Sequence, residues 1–479
     1  MNIAILGAGI SGLAAAYRLQ QLMPQAVLRV FDRRNRTGGV LETINKEAPP
    51  SRRTESGYYQ IEQSADNFIT TVPWGLQLCK ELGLGNEIIQ TNPHTRRTYV
   101  VRKGKLYLLP DGFLMMAPTK LMPMATTPIL SPLGKLRAGL ELLIPARKDD
   151  IDESMATFVS RRLGREVFER LVEPLVSGVY AADMEKLSVL ATLPRFREME
   201  RQYGSLIWAM QRQLKANKAA HLAEQSGARY SMFVTLRQGL SVIGETIAQR
   251  LPPESLQLNT EITQINKMPE GKWTLRRSAC ETPFDAVILA TSAADAAKVL
   301  KNTLATLAAK LGEIEHEGTA IATFAFDSSQ IKQEIRGMGF VVPKIEQSPI
   351  LAGSFSSVKY EHRAPPGKFL IRVFAGGARH PELAERPADQ LAPLLLAELR
   401  KIVKIEGEPL FSTVAHWANT MPQYNVGHRE RVAEIESLVS TEPTLALAGN
   451  AFCGVGIPNC IHTGFAAAEK IASEFSLGD

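Results

Sequence analysis

A chain of 479 residues exceeds what one hydrophobic core usually organises, so two or three substructures are expected. Hydrophobic residues at 45% and charged residues at 22% exclude a disordered or collagen-like chain. Lys and Arg outnumber Asp and Glu by 55 to 49, and a balance of +6 over so large a surface gives no reason to expect nucleic acid as a partner.

The opening NIAILGAGISGLAAAYRLQQLMP reads as strand, tight turn and helix, with Pro24 as the stop. In Gly7-Ala8-Gly9-Ile10-Ser11-Gly12, Gly7 permits the turn, Gly9 lets the backbone approach a pyrophosphate, and Gly12 lets helix pack on strand. The first N–H groups of the helix, at Ser11 and its neighbours, are then free to face phosphate. A second apolar run, Ala26 to Phe31, ends at Asp32, where an acid suits a ribose hydroxyl. Arg33, Arg36, Gly38 and Gly39 follow, and a second glycine pair beside arginines suits a backbone passing the same diphosphate. That pattern favours FAD over NAD.

From His94 to about Gly204 the text turns to Pro, Met and Leu clusters and then to IDESMATFVSRRLGREVFERLVEPLVSG, whose apolar positions recur at helical spacing. Gln211 to Ser226 is polar and reads as a surface helix or loop, and Met232 to Leu236 as the return of order. LQLNTEITQI, KWTLRR and FDAVILAT read as strands, the last a buried parallel one. IATFAF, GFVVP and FLIRVFAGG suggest a second sheet, with a helix near Ala388 to Val403. The end, LALAGNAFCGVGIPNCIHTGFAAAEKIASEF, is again strand, Gly-rich loop and helix. The expected fold is α/β: a Rossmann-like FAD-binding domain (1–66, 227–298 and 440–479) interleaved with a sheet-based substrate domain (67–91 and 299–439) and a mostly helical insert (92–226).

Cys79, Cys280, Cys453 and Cys460 match neither a disulfide framework nor a zinc ribbon, so a reducing compartment and no metal are expected. The chain enters its first strand without a basic leader, which suits the cytoplasm. No run reaches the roughly 18 apolar residues of a spanning helix. The Leu106–Met124 stretch, broken by Pro110, Pro118 and Pro123, leaves a peripheral membrane contact and a homo-oligomer open.

Several segments resemble a family. LSPLGKLRAGLELLIP, ESMATFVSRRLG, VEPLVSGVYAAD, LRQGL, MPQYNVGH and GVGIPNCI are similar, in order and spacing, to text of the oxygen-dependent coproporphyrinogen III and protoporphyrinogen oxidases of haem biosynthesis, within the flavin amine oxidase superfamily. The resemblance covers nearly the whole chain. It implies non-covalent FAD, a porphyrinogen as substrate, dioxygen as acceptor and hydrogen peroxide as product, with coproporphyrinogen III favoured over protoporphyrinogen IX. The chemistry is intelligible: a cation left by hydride loss from a methylene bridge spreads over two electron-rich pyrroles, and the cofactor carries the redox step.

The resemblance also places residues. Gly449, Gly454, Val455, Gly456 and Ile457 would pass beside the flavin ring, and Ile262 would bring its backbone near the adenine. Asn450 stands where the superfamily often has an acid. Asp66 and the carbonyl of Gly178 would meet the pyrrole nitrogens, Phe340, Val342 and Phe355 the faces of the macrocycle, and Arg96 or Arg97 a propionate. Cys453 is read as a small buried cysteine rather than a flavin attachment point, and His428 as a satisfied polar site. The competing readings are a carotenoid desaturase or amine oxidase on the same flavin domain, and a binding protein that keeps the fold without flavin.

Overall fold

The computed structural model describes residues 1–47, 57–213, 232–276 and 283–476. Cys280 and positions 214–226 of the polar stretch lie outside them.

A five-stranded parallel sheet takes its strands in the order Leu256–Gln257, Val27–Phe31, Asn2–Leu6, Ala286–Leu289, Leu445–Leu447. Its central strands are mostly apolar, NIAIL and AVIL, because both faces are covered. Ile3 and Ile5 point into a core with the helices Ile10–Leu22, Ser241–Arg250 and Ile457–Ser476. Ala4 and Leu6 point the other way, toward Trp273, Leu275 and the helices Ala293–Leu300 and Ala305–Gly312. Chain segments far apart in sequence thus meet at the C-terminal ends of these strands, where such folds bind ligands.

A second sheet has seven strands in the order Phe411–Pro422, His316–Asp327, Lys368–Gly376, Ile350–Phe355, Gly339–Val341, Thr98–Arg102, Lys105–Leu108. All pairs are antiparallel except Gly339–Val341 with Thr98–Arg102. Side chains alternate between its faces. Phe340, Val342, Phe355, Ile371 and Val373 lie under the helix Ala388–Ile402 in one core. Val341 and Ala352 face the helical region instead, whose core is built from Phe158, Phe168, Val176 and Phe196. A buried charge network braces that region: Glu141 takes Arg162, the Ser205 hydroxyl at 2.5 Å and the Leu206 N–H at 2.8 Å.

Two segments sit elsewhere than expected. Within 67–91, the helix Trp74–Glu81 packs Leu78 and Cys79 into the core of the nucleotide half, and Phe68–Ile69 and Ile88–Gln90 both pair with Phe233–Leu236. The strands Thr98–Arg102 and Lys105–Leu108, expected in the helical insert, form the edge hairpin of the second sheet. Their link, Lys103 and Gly104, has φ of 52° and 69°, the two positive values that a twisted hairpin turn requires. No helix among the described residues is long and apolar enough to cross a membrane.

Candidate functional site

The strand Asn2–Leu6 runs out at Gly7, whose φ is 106°; a Cβ there would lie 2.5 Å from the Ala290 carbonyl oxygen. A Cβ on Gly12 would overlap the carbonyl oxygen of Gly7, so this glycine closes helix on strand. Gly9 caps the helix Ile10–Leu22 without a side-chain bond, and the first turn, with Ser11, holds no acid. Its free N–H groups and the positive end of the helix dipole are open to an anion. Gly38 donates its N–H to the Ala8 carbonyl at 2.8 Å, and a Cβ on Gly39 would lie 2.9 Å from the Gly9 Cα. The two glycine turns therefore form one backbone cradle.

Asp32 closes it. Its Oδ2 accepts the Ala8 N–H and its Oδ1 the Arg34 N–H, each at 2.8 Å, which fixes the carboxylate and leaves lone pairs for a diol. The backbone of Thr260 bonds back to the Asp32 carbonyl at 2.8 Å, which brings buried Ile262 to the same end of the sheet. The arginines divide differently from the expectation. Arg33 is exposed and 3.7 Å from Asp295, and Arg36 pairs with Glu42 at 2.9 Å. Arg34, which was not singled out, donates to the Gly39 carbonyl at 2.8 Å and lies over Trp417.

The far-end loop is held by a residue that sequence reasoning missed. The Tyr424 hydroxyl donates to the Asn450 carbonyl at 2.5 Å and accepts the Gly454 N–H at 2.8 Å. Gly449 N–H donates to Thr463 Oγ1 at 3.0 Å, and the Asn450 side chain donates to the Thr420 carbonyl at 3.0 Å. Buried His428 stacks on Tyr424 with ring centroids 4.0 Å apart. MPQYNVGH is thus the prop of the loop, with Tyr424 as its contact. Gly456 leads into Ile457, the start of a 20-residue helix with no acid in its first turn. Cys453 is exposed, contrary to expectation, because the loop turns its side chain outward while Cys79 and Cys460 are buried. Burial of much of its surroundings raises its thiol pKa, so it is not a ready thiolate.

On the second sheet, Val341, Ala352 and Phe374 lie in register on one face, and Gly178, exposed on the helix Glu173–Tyr180, stands over Val341 and Ala352, each 3.8 Å from where its Cβ would be. Glu173 fixes that helix by taking the Arg379 guanidinium and the Lys344 N–H, the latter at 3.0 Å. Val455 packs against the same apolar cluster as Val341, which joins the far-end loop to this wall.

Phe340, Val342 and Phe355 do not belong to it. They occupy the opposite face, Phe340 being 1% exposed, because a shift of one residue along a strand reverses the face. Arg97 is likewise off the wall: it is exposed, and Thr98 is the residue that pairs with Gly339 on the wall side.

Next to Phe374 on the same face, Arg372 is 1% exposed and reaches Asp66, with Nη1 3.4 Å from Oδ2. Lys359 Nζ donates to Asp66 Oδ1 at 2.8 Å, and Asn67 donates to the same oxygen at 2.6 Å. Trp417 ties this corner to the nucleotide end by donating its indole N–H to the Gln63 carbonyl at 2.6 Å. Buried Ser64 Oγ, Ser354 Oγ and Asp66 Oδ2 make no hydrogen bond within the described protein. Unused polar atoms gathered beside an apolar wall are what a site for a flat, partly polar molecule requires.

An uncapped helix, a side-chain-free cradle and an acid at the ribose position fit a flavin dinucleotide. The family model for flavin containing amine oxidoreductases matches residues 10–472. The chain is 33% identical to a coproporphyrinogen III oxidase of Staphylococcus aureus over 99% of both chains, and 32% identical to that of Bacillus subtilis over 97% of both. A solved structure from Exiguobacterium sp. 255-15 superposes with a TM-score of 0.84 at 28% identity, covering 99% of each chain. The chain therefore belongs to the flavin containing amine oxidoreductase family, as an FAD-dependent oxidoreductase in the group that holds the coproporphyrinogen III oxidases.

Proposed function

We infer that this flavoprotein oxidises a porphyrinogen to the porphyrin in haem biosynthesis, with dioxygen as acceptor, hydrogen peroxide as product and coproporphyrinogen III preferred. The observation that carries the reading is the sheet face on which half-buried Ala352 and Phe374 lie between exposed Gly178 and the charged corner of Asp66, Lys359 and Arg372. A flat macrocycle needs an apolar face and a few polar groups at its edge.

Gly7, Gly9, Ser11, Gly12, Gly38 and Gly39 would hold the pyrophosphate, Asp32 the ribose, the backbone at Ile262 the adenine, and the Gly449–Ile457 loop the ring. The bound flavin supplies the acceptor for one hydride from a methylene bridge per round, with dioxygen as its reoxidant between the repeated two-electron rounds that lead to the porphyrin. This chain's own residues do the rest: the wall orients the ring, Gly178 and Asp66 accept pyrrole N–H groups, and the acid favours the positive charge that develops as hydride leaves. Protons lost from pyrrole nitrogen pass to water.

Aerobic turnover of the FAD-loaded protein with coproporphyrinogen III and protoporphyrinogen IX, followed by porphyrin fluorescence against enzyme-free controls, tests the reading. A higher kcat/KM for coproporphyrinogen III is expected. Preference for protoporphyrinogen IX would reverse the substrate assignment, and no acceleration of either would end the porphyrinogen reading.

A further inference from the structure

Asp66 carries more cation than an acceptor of N–H bonds needs. Lys359, on the short helix Ser356–Lys359, saturates Oδ1 together with Asn67, while Arg372, on the strand Lys368–Gly376, faces Oδ2 without a hydrogen bond to it. Arg372 is itself anchored, since Nη2 donates to the Ser64 carbonyl, yet its Nε and Nη1 have no hydrogen-bond partner within the described protein. The remaining charges packed here are Glu62 and Arg363, 3.1 Å apart, and the Tyr360 hydroxyl lies beside Asp66. Two acids thus meet three bases in a water-poor corner. A carboxylate held this way cannot serve as a proton acceptor tuned to neutral pH.

Resting on the porphyrinogen reading, we propose that Lys359 and Arg372 are positioning residues that keep Asp66 permanently ionised, so that its negative charge favours the cation developing in the macrocycle without the carboxylate taking a proton. Burial alone would raise the Asp66 carboxyl, but Lys359 and Arg372 outweigh it and hold it at about 2. Lys359 is the more accessible of the two cations, with 13% of its side chain exposed against 1% for Arg372, and is the position at which the charge can be removed with least damage to packing.

The test uses FAD-loaded wild type, Lys359→Met and Lys359→Arg, with kcat/KM for coproporphyrinogen III measured from about pH 4 to 8. Wild type and Lys359→Arg should show no acid limb from Asp66, whereas Lys359→Met should acquire one, its kcat/KM falling roughly threefold or more toward about pH 5 relative to its own value near pH 8. A Lys359→Met profile that superimposes on wild type would overturn the proposal. A readout free of substrate separates this from failure of the porphyrinogen reading. Infrared difference spectra against Asp66→Asn should show a protonated carboxyl band near pH 5 in Lys359→Met and none in wild type, and a band in wild type would refute the clamp even if no porphyrinogen were oxidised.

Discussion

The nucleotide end and the substrate end of this molecule are built by different means. At the first, backbone does the recognising: Gly7, Gly9, Gly12, Gly38 and Gly39 make a surface without side chains, and one acid, Asp32, completes it. At the second, the proposed site is made of side chains, on a sheet face where a single position decides whether a residue faces the site or the core. The first design puts its determinants within a few dozen residues. The second joins Asp66 to Lys359 across 293 positions. A site made of backbone leaves a spacing in the sequence, whereas a site made of strand faces leaves only alternation.

Substitutions on the two faces of the second sheet can break this contrast. Phe340→Ala should cost about 3–5 kcal/mol of stability, because it opens a cavity under the helix Ala388–Ile402, while the surviving enzyme keeps its KM; chemical denaturation and steady-state kinetics check both. A raised KM at normal stability would return Phe340 to the substrate wall.

At the nucleotide end, Asp32→Ala should leave the Ala8 and Arg34 N–H groups without their acceptor and weaken FAD by about 1–3 kcal/mol, roughly five- to 150-fold in Kd by flavin fluorescence titration. Turnover with excess FAD should recover most of the activity.

The prop behind the far-end loop gives a pH signature. Burial, with Arg431 nearby, pushes the His428 imidazole down to about 4. The unfolded chain takes up a proton below the ordinary value near 6.5 that the folded chain refuses until about 4. Stability is therefore full above about 6.5 and declines as pH falls toward about 4, by up to about 3 kcal/mol for this group. Burial also brings His362 down to about 4 and lowers His316, so both share the window, and His428→Phe should remove only part of the slope, roughly a third to a half, in a series of denaturation curves.

The smallest effect on the fold is expected at Gly178. A Cβ there would meet Val341 and Ala352 at ordinary contact distance, and Ala is the better helix former, so Gly178→Ala should leave stability unchanged or raise it by up to about 1 kcal/mol. It should nonetheless raise KM severalfold, since the added methyl group stands beside the carbonyl proposed to meet the pyrrole nitrogens. Unchanged KM would move the substrate away from Gly178.

Much of the first end was legible because each glycine answers a local demand and Asp32 follows at the end of the next strand. The second sheet was legible as strands but not as faces. In GFVVP every position from Phe340 to Val342 is apolar, so alternation gave no clue to which side meets ligand. FLIRVFAGG did carry a clue: Arg372, polar within an apolar strand, marks the face it shares with Phe374. Cys453 shows the limit in the other direction, since composition makes cysteine a core residue while loop geometry turned this one out. The hairpin at Lys103 and Gly104 was masked by the helical text that follows it.

Anaerobic mixing of the FAD-loaded protein with coproporphyrinogen III tests the central claim most directly. The flavin's visible absorbance should bleach as it takes one hydride, and admitting air should restore the absorbance and bring up porphyrin fluorescence over repeated two-electron rounds. A flavin band that survives excess substrate unchanged would contradict the assignment.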